Sequence, residues 1–144
     1  MDQMHATTVA IDGRGILLLG PSGSGKSDLA LRLIDDGARL VADDRTVLVA
    51  EDGEVIASPP VNIAGKMELR GFGVVPMPFE KSAPVVLVVK LAPREEIPRL
   101  PDPMTIEVQG KVLPMVMLDA QDASAVARVN VILKTLHQHE TDAR

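Results

Sequence analysis

Residues 16–27 read Ile-Leu-Leu-Leu-Gly-Pro-Ser-Gly-Ser-Gly-Lys-Ser. A short apolar run stops at a glycine-rich turn, and a lysine–serine pair opens the next segment. Ile16–Leu19 predicts a buried strand, and the spacing of apolar residues predicts a helix over 27–36. The turn between them fits G-x-x-x-x-G-K-S/T in the strand–loop–helix setting that this pattern requires. No other feature restricts the fold as much, because the end of one strand and the start of one helix must meet at a single point. The glycines let the backbone curl so that successive N–H groups point inward. The helix N-terminus adds its partial positive charge. On this reading Gly20, Pro21, Ser22, Gly23, Ser24, Gly25, Lys26 and Ser27 cradle nucleotide phosphates. Lys26 reaches the β- and γ-phosphates and the Ser27 hydroxyl ligates Mg²⁺.

The rest of the chain is read around that loop. Thr7–Ile11 is β-prone, and Asp12-Gly13 is a hairpin turn signal leading into the apolar run. The helix places Leu29, Leu31, Leu33 and Ile34 on a broad apolar face, with Gly37 where a C′ glycine ends a helix. Arg39–Ala42 predicts a short strand ended by Asp43-Asp44. Thr46–Ala50 and Glu54–Ala57 form a second hairpin around Asp52-Gly53, broken by Ser58-Pro59-Pro60. Residues 61–82, rich in Gly and Pro, read as irregular. Val85–Leu91 is a near-continuous apolar run, as in a strand buried on both faces. Residues 92–103 hold four prolines and read as an exposed loop. A third hairpin pairs Thr105–Val108 with Val112–Leu118 around Gln109-Gly110, and Asp122–His137 closes the chain as a helix. The sum is an α/β domain with a hairpin-rich mixed sheet, poor in helices, where phosphate-loop folds usually alternate strand and helix.

Length and composition bound the class of partner. The 144 residues make one domain, 1–144, large enough for a core. Net charge is −5, and Phe72 and Phe79 are the only aromatics. Neither an anionic backbone nor stacked bases find a partner in such a chain, so nucleic acid is excluded. Cysteine is absent, which fits a reducing compartment. The first residues carry no secretory pattern, and no apolar stretch approaches the ~20 residues of a membrane span. A cytoplasmic protein without membrane attachment is expected.

Two further clusters carry chemistry. Arg39-Leu-Val-Ala-Asp-Asp44 ends a strand in paired carboxylates. Beside a phosphate loop such a strand end supplies a Mg²⁺ partner, and the second carboxylate can accept a proton from an attacking hydroxyl. Spacing alone does not separate the roles of Asp43 and Asp44. Glu68 and Arg70 stand two apart in Met67-Glu-Leu-Arg-Gly-Phe-Gly73, so they share a face if the segment is extended. Glu68 can ligate Mg²⁺ and Arg70 can hold a phosphate, or the two form an exposed ion pair. His5, taken alone, reads as structural or exposed. His137, His139, Lys66 and Lys90 read as solvated or strand-end groups.

Together these segments resemble the catalytic domain of HPr kinase/phosphorylase, which phosphorylates a serine of the phosphocarrier HPr. His5 stands ahead of the loop at the family's distance from Lys26. Gly20–Ser27 continues to Asp43-Asp44 much as the family does, and Glu68-Leu-Arg-Gly-Phe-Gly73 resembles its E-I-R-G-x-G signature. The match covers residues 5–50 and 66–76. It implies a PEP-carboxykinase-like P-loop kinase domain, with a P-loop helix and a C-terminal helix. It implies Asp44 as general base, His5 and Lys26 as catalytic, and Arg99 as the counterpart of a later family arginine. It implies Ser27 and Glu68, beside Asp43, as Mg²⁺ ligands, and ATP and HPr as substrates. The family is a hexamer at full length, so a homo-oligomer is expected.

The chain departs from the family in three respects. His5 lies almost at the start, as in the short alphaproteobacterial form without an N-terminal regulatory domain. Leu113-Pro-Met-Val-Met-Leu-Asp119 stands where the family has P-V-x-P-G-R-N, a loop tied to dephosphorylation, with Arg128 as the nearby cation. Ala38 replaces a frequent histidine. The expectation is therefore an ATP- and Mg²⁺-dependent HPr serine kinase whose forward reaction exceeds phosphorolysis. A P-loop small-molecule kinase and a nucleotide-binding regulatory module are the alternatives.

Overall fold

The computed structural model describes residues 2–142, with side chains through residue 136. His137 and His139 therefore lie outside the described side chains. The apolar run ahead of the loop forms β3 (Arg14–Leu19), in which Ile16, Leu17 and Leu18 are fully buried. Before it come β1 (Asp2–Met4) and β2 (Thr7–Ile11). The loop opens α1 (Lys26–Asp35), followed by β4 (Arg39–Ala42), β5 (Thr46–Glu51) and β6 (Glu54–Ser58). A 3₁₀ turn at Val61–Ile63 leads to β7 (Lys66–Leu69) and β8 (Gly73–Pro76). Then follow β9 (Ala83–Leu91), a 3₁₀ turn at Arg94–Glu96, β10 (Met104–Val108), β11 (Lys111–Leu118) and α2 (Ala125–Asp142).

The three predicted hairpins are present, and one turn chemistry makes all of them. Asp12-Gly13, Asp52-Gly53 and Gln109-Gly110 each hold both central residues at positive φ, from 50° to 81°. That is the type I′ pattern, whose twist matches the strands it joins. Helix α1 stops as predicted at Gly37, at φ 113°. The N–H of Ala38 bonds the Leu33 carbonyl and that of Gly37 the Ile34 carbonyl, both at 3.0 Å, a Schellman ending.

Strand order is β1-β5-β6-β9-β3-β2-β4, with β11 also beside β9 and β10 outside β11. Strands β3, β9 and β11 run parallel, and every other pair is antiparallel. This is the expected α/β domain with a hairpin-rich mixed sheet. Alternation along β3 sends Ile16 and Leu18 to one face and Leu17 to the other. The first face packs against Leu29 and Leu33 of α1 and Val129 and Leu133 of α2. The second packs with Leu48 of β5, Val55 of β6 and Leu113 of β11. Both faces are covered, so β3 and β9 are apolar nearly throughout.

Several particulars differ from expectation. Residues 61–82 are not irregular: Lys66–Leu69 and Gly73–Pro76 pair as an antiparallel hairpin separate from the main sheet. Met67, 2% exposed, anchors it in the core. The last helix begins at Ala125 rather than Asp122, because Asp122–Ser124 forms the turn that enters it, and it runs to Asp142. Leu31 is only half-buried. Leu87, fully buried in β9 beneath α1 and α2, is the test of this packing. Leu87→Ala is expected to cost about 2–5 kcal/mol in denaturant unfolding. Leu100→Ala, at a side chain 91% exposed, should stay within about 0.5 kcal/mol.

Candidate active site

The loop after β3 turns tightly. Ser24 N–H bonds the Pro21 carbonyl at 3.0 Å, and Gly23 and Gly25 stand at φ 84° and 99°. Gly25 is the N-cap of α1, and a Cβ there would meet Ala120 Cβ at 2.8 Å. Both its backbone angle and its space exclude a side chain. From α1, Arg32 donates to the Ala120 carbonyl and to Asp28, which binds the helix to the β11–α2 connection behind the loop.

Lys26 is 7% exposed, and its Nζ donates to the carbonyls of Gly20 at 2.6 Å and Pro21 at 3.2 Å. No carboxylate among the described residues pairs with it. A buried ammonium satisfied by neutral carbonyls alone is costly to desolvate, and it leaves the loop electropositive. With the converging N–H groups of the α1 N-terminus this makes a cradle suited to phosphate oxygens.

Ser27 donates to Asp43 Oδ1 at 2.7 Å, joining the start of α1 to the end of β4. The buried Thr7 hydroxyl reaches the same oxygen at 3.3 Å and accepts the Asp44 N–H at 3.0 Å. Asp44 adopts φ 67°, and its side chain is largely exposed. His5 Nδ1 lies 3.6 Å from Asp44 Oδ1, both side chains largely exposed. That separation exceeds a hydrogen bond and places the ring beside the carboxylate.

The β7–β8 hairpin closes the other wall. Glu68, Leu69 and Arg70 line a cleft of about 570 Å³ with Lys26, Ser27 and Asp44. A contiguous hollow of about 710 Å³ adds Asp43 and Gly71–Gly73. Glu68 and Arg70 thus share a cleft with the loop and the paired aspartates. Among the described residues no three of His, Asp and Glu converge on one metal position. A Mg²⁺ ion is suited to that arrangement, since it takes one or two carboxylates together with waters and phosphate oxygens. Ser27 and Asp43 already meet at one point and fit such an ion best. Arg99 lies apart in the exposed 92–103 segment and lines neither hollow. Arg128 is held by Ser124, its Nε 2.7 Å from the hydroxyl, also outside the cleft lining. Sequence reasoning missed Thr7, whose signal is two polar threonines opening an otherwise apolar strand.

The family model for the HPr Serine kinase C-terminal domain matches residues 1–129. The chain belongs to the HPr kinase family. It is 41% identical to the HPr kinase/phosphorylase of Clostridium tetani over 88 residues, 61% of this chain and 29% of that protein. With the HPr kinase/phosphorylase of Limosilactobacillus reuteri it is 32% identical over 136 residues, 86% of this chain and 42% of that one. The chain thus spans less than half the length of these HPr kinase relatives. The structure of the Hpr(Ser) kinase/phosphatase from Coxiella burnetii superposes with a TM-score of 0.84 at 26% identity, covering 99% of this chain and 94% of that one.

Gly25→Ala tests the loop directly. Forcing a Cβ into the left-handed region against Ala120 is expected to cost about 1–3 kcal/mol in thermal or denaturant unfolding. It should also lower affinity for ATP in calorimetry.

Proposed function

We propose that residues 1–144 act as one catalytic unit, an ATP- and Mg²⁺-dependent protein serine kinase acting on HPr. The observation that carries this reading is the Ser27–Asp43 bond, 2.7 Å long, beside a second, solvent-facing aspartate in the same cleft. ATP supplies the phosphoryl group, and Mg²⁺ neutralises charge on its oxygens. The loop N–H groups and Lys26 hold the phosphates, Lys26 exchanging its carbonyl partners for phosphate oxygens. Ser27 and Asp43 hold the metal, with Glu68 as a further metal ligand from the facing hairpin. Arg70 positions a phosphate. Asp44 accepts the proton of the acceptor serine, with His5 beside it; Arg99, outside both hollows, keeps only the catalytic role that the resemblance implies. Positioning and charge neutralisation supply most of the rate.

Among the described residues no helix is long and apolar enough to cross a membrane. A cytoplasmic location and a homo-oligomeric state belong to this reading, the latter testable by sedimentation.

The deciding experiment incubates the protein with ATP, Mg²⁺ and HPr and reads phosphoserine by mass spectrometry. Turnover without a protein acceptor would instead favour a small-molecule kinase. ATP binding with no transfer to any acceptor would favour a regulatory module. Lys26→Ala is expected to lose most ATP affinity by calorimetry with its fold retained. Asp44→Asn should bind ATP normally and lose transfer; an active Asp44→Asn with a dead Asp43→Asn would reverse the two roles.

Forward transfer should exceed phosphorolysis. Leu113–Leu118 lies in a strand, and the Asp119 carboxylate that follows accepts the N–H groups of Arg94 and Gln121 at 3.1 and 2.9 Å. It lines a hollow with Pro21–Ser24, so a fixed negative charge borders the loop. Such a charge would oppose an anion held at that end of the loop. Pyrophosphate release from phosphoserine-HPr and phosphate, slower than the kinase rate, is the expected result.

A further inference from the structure

Thr7 is fully buried, yet its hydroxyl lies at the base of the aspartate pair. A hydroxyl has one proton and two lone pairs. Here the proton goes to Asp43 Oδ1 at 3.3 Å, and a lone pair takes the Asp44 N–H at 3.0 Å. The first bond brings Thr7 to the oxygen that also accepts from Ser27. The second satisfies an amide that the ladder has released, because Asp44 has turned to φ 67°. That conformation is uncommon for a residue with a Cβ and persists only where its surroundings impose it. Ala6 N–H adds a bond to the Asp44 carbonyl at 3.1 Å. Thr8 does a different job: it is paired at 2.8 Å with Thr46, which donates to the Ala6 carbonyl at 3.0 Å.

We propose that Thr7 is a positioning residue for phosphoryl transfer. Its hydroxyl clamps the Asp44 backbone in the left-handed conformation and aims Asp43 at Ser27. Both carboxylates thereby stay at the rim of one hollow, Asp43 bonded to the loop serine and Asp44 open to an acceptor. Without the clamp the chain relaxes toward an extended path, where neighbouring side chains alternate faces and neither distance is held. The proposal rests on the kinase reading above.

The test compares T7V, nearly isosteric without the hydroxyl, with T7S, which keeps the hydroxyl and loses the methyl. T7V is expected to lose roughly 10- to 100-fold in kcat for HPr phosphorylation, the scale of a misplaced reacting group. Its KM for ATP should stay within about threefold, because the loop and Lys26 bind the nucleotide. T7S should recover most of kcat although it removes more packing. In the nucleotide-free protein, hydrogen exchange of the Asp44 amide should speed up in T7V and remain slow in T7S. Equal kcat in T7V and wild type, or an equal loss in T7S, overturns the proposal, as does unchanged Asp44 exchange in T7V. A wild-type protein inert toward HPr sinks the kinase reading and the transfer role with it. The exchange comparison still reads the clamp by itself.

Discussion

The parallel pairing of β3 with β9 is the contact on which the rest depends. It runs from Gly15↔Val85 to Leu19↔Lys90, with a register shift between Gly15 and Ile16. The shift falls where the backbones crowd, since a Cβ on Gly15 would stand 2.9 Å from the Pro84 carbonyl oxygen. On its far edge β9 pairs first with β6, at Ala83 and Pro84, and then with β11 from Val88 to Leu91. One strand therefore joins a curled antiparallel layer to a parallel core. The parallel part fixes the site, because the ends of β3, β9 and β11 all point toward the phosphate loop. Ligands of open α/β sheets gather at such carboxyl ends.

From that frame the chemistry follows by short steps. Strand β2 is held between β3 and β4, so the residues that open it, His5 to Thr7, arrive beside the residues that close β4, Asp43 and Asp44. The register of β2 against β4 slips between Thr8 and Val9. Thr7 and Thr8 consequently serve two different networks, one around the aspartates and one around Thr46. The aspartate pair is built from main-chain geometry as much as from its side chains. A continued strand would place Asp43 and Asp44 on opposite faces of the sheet; the left-handed turn keeps both at the rim.

Much of this was legible locally. A turn dipeptide with Gly second states its own backbone angles, so the three type I′ hairpins could be read from Asp12-Gly13, Asp52-Gly53 and Gln109-Gly110. The loop from Gly20 to Ser27 states a strand end and a helix start, and Gly37 states a helix stop. The β7–β8 hairpin was not legible, because its turn is Arg70-Gly71-Phe72 and much of its apolar surface faces out. Phe72 is 81% and Val74 66% exposed, which erases the alternation a half-buried strand would show. Strand β1 is three residues long and mostly polar, too short for a period. The Thr7 clamp joins residues 36 and 37 apart in sequence, and no local pattern encodes a register slip. Glu68 and Arg70 were recognisable as a pair, while the cleft that collects them depends on Met67 anchoring the hairpin.

The loop and the aspartates differ in their relation to water, and that difference bears on the acceptor. Lys26 is buried beside the start of α1, so the backbone dipoles of the proposed phosphate end stand in place before any ligand arrives. Such preorganised dipoles need no rearrangement when charge develops, which is where electrostatic catalysis gains most. The proposed acceptor end is open: Asp44 and His5 keep 64% and 71% of their side-chain surface in solvent. A carboxylate so exposed is screened, and water can reach the position an attacking hydroxyl would take. A small metabolite would leave that wall open. A folded acceptor presenting a serine would cover it, excluding water and strengthening the pull of Asp44 on the hydroxyl proton as the local dielectric falls. The proposed protein acceptor would therefore contribute one wall of the site as well as the nucleophile.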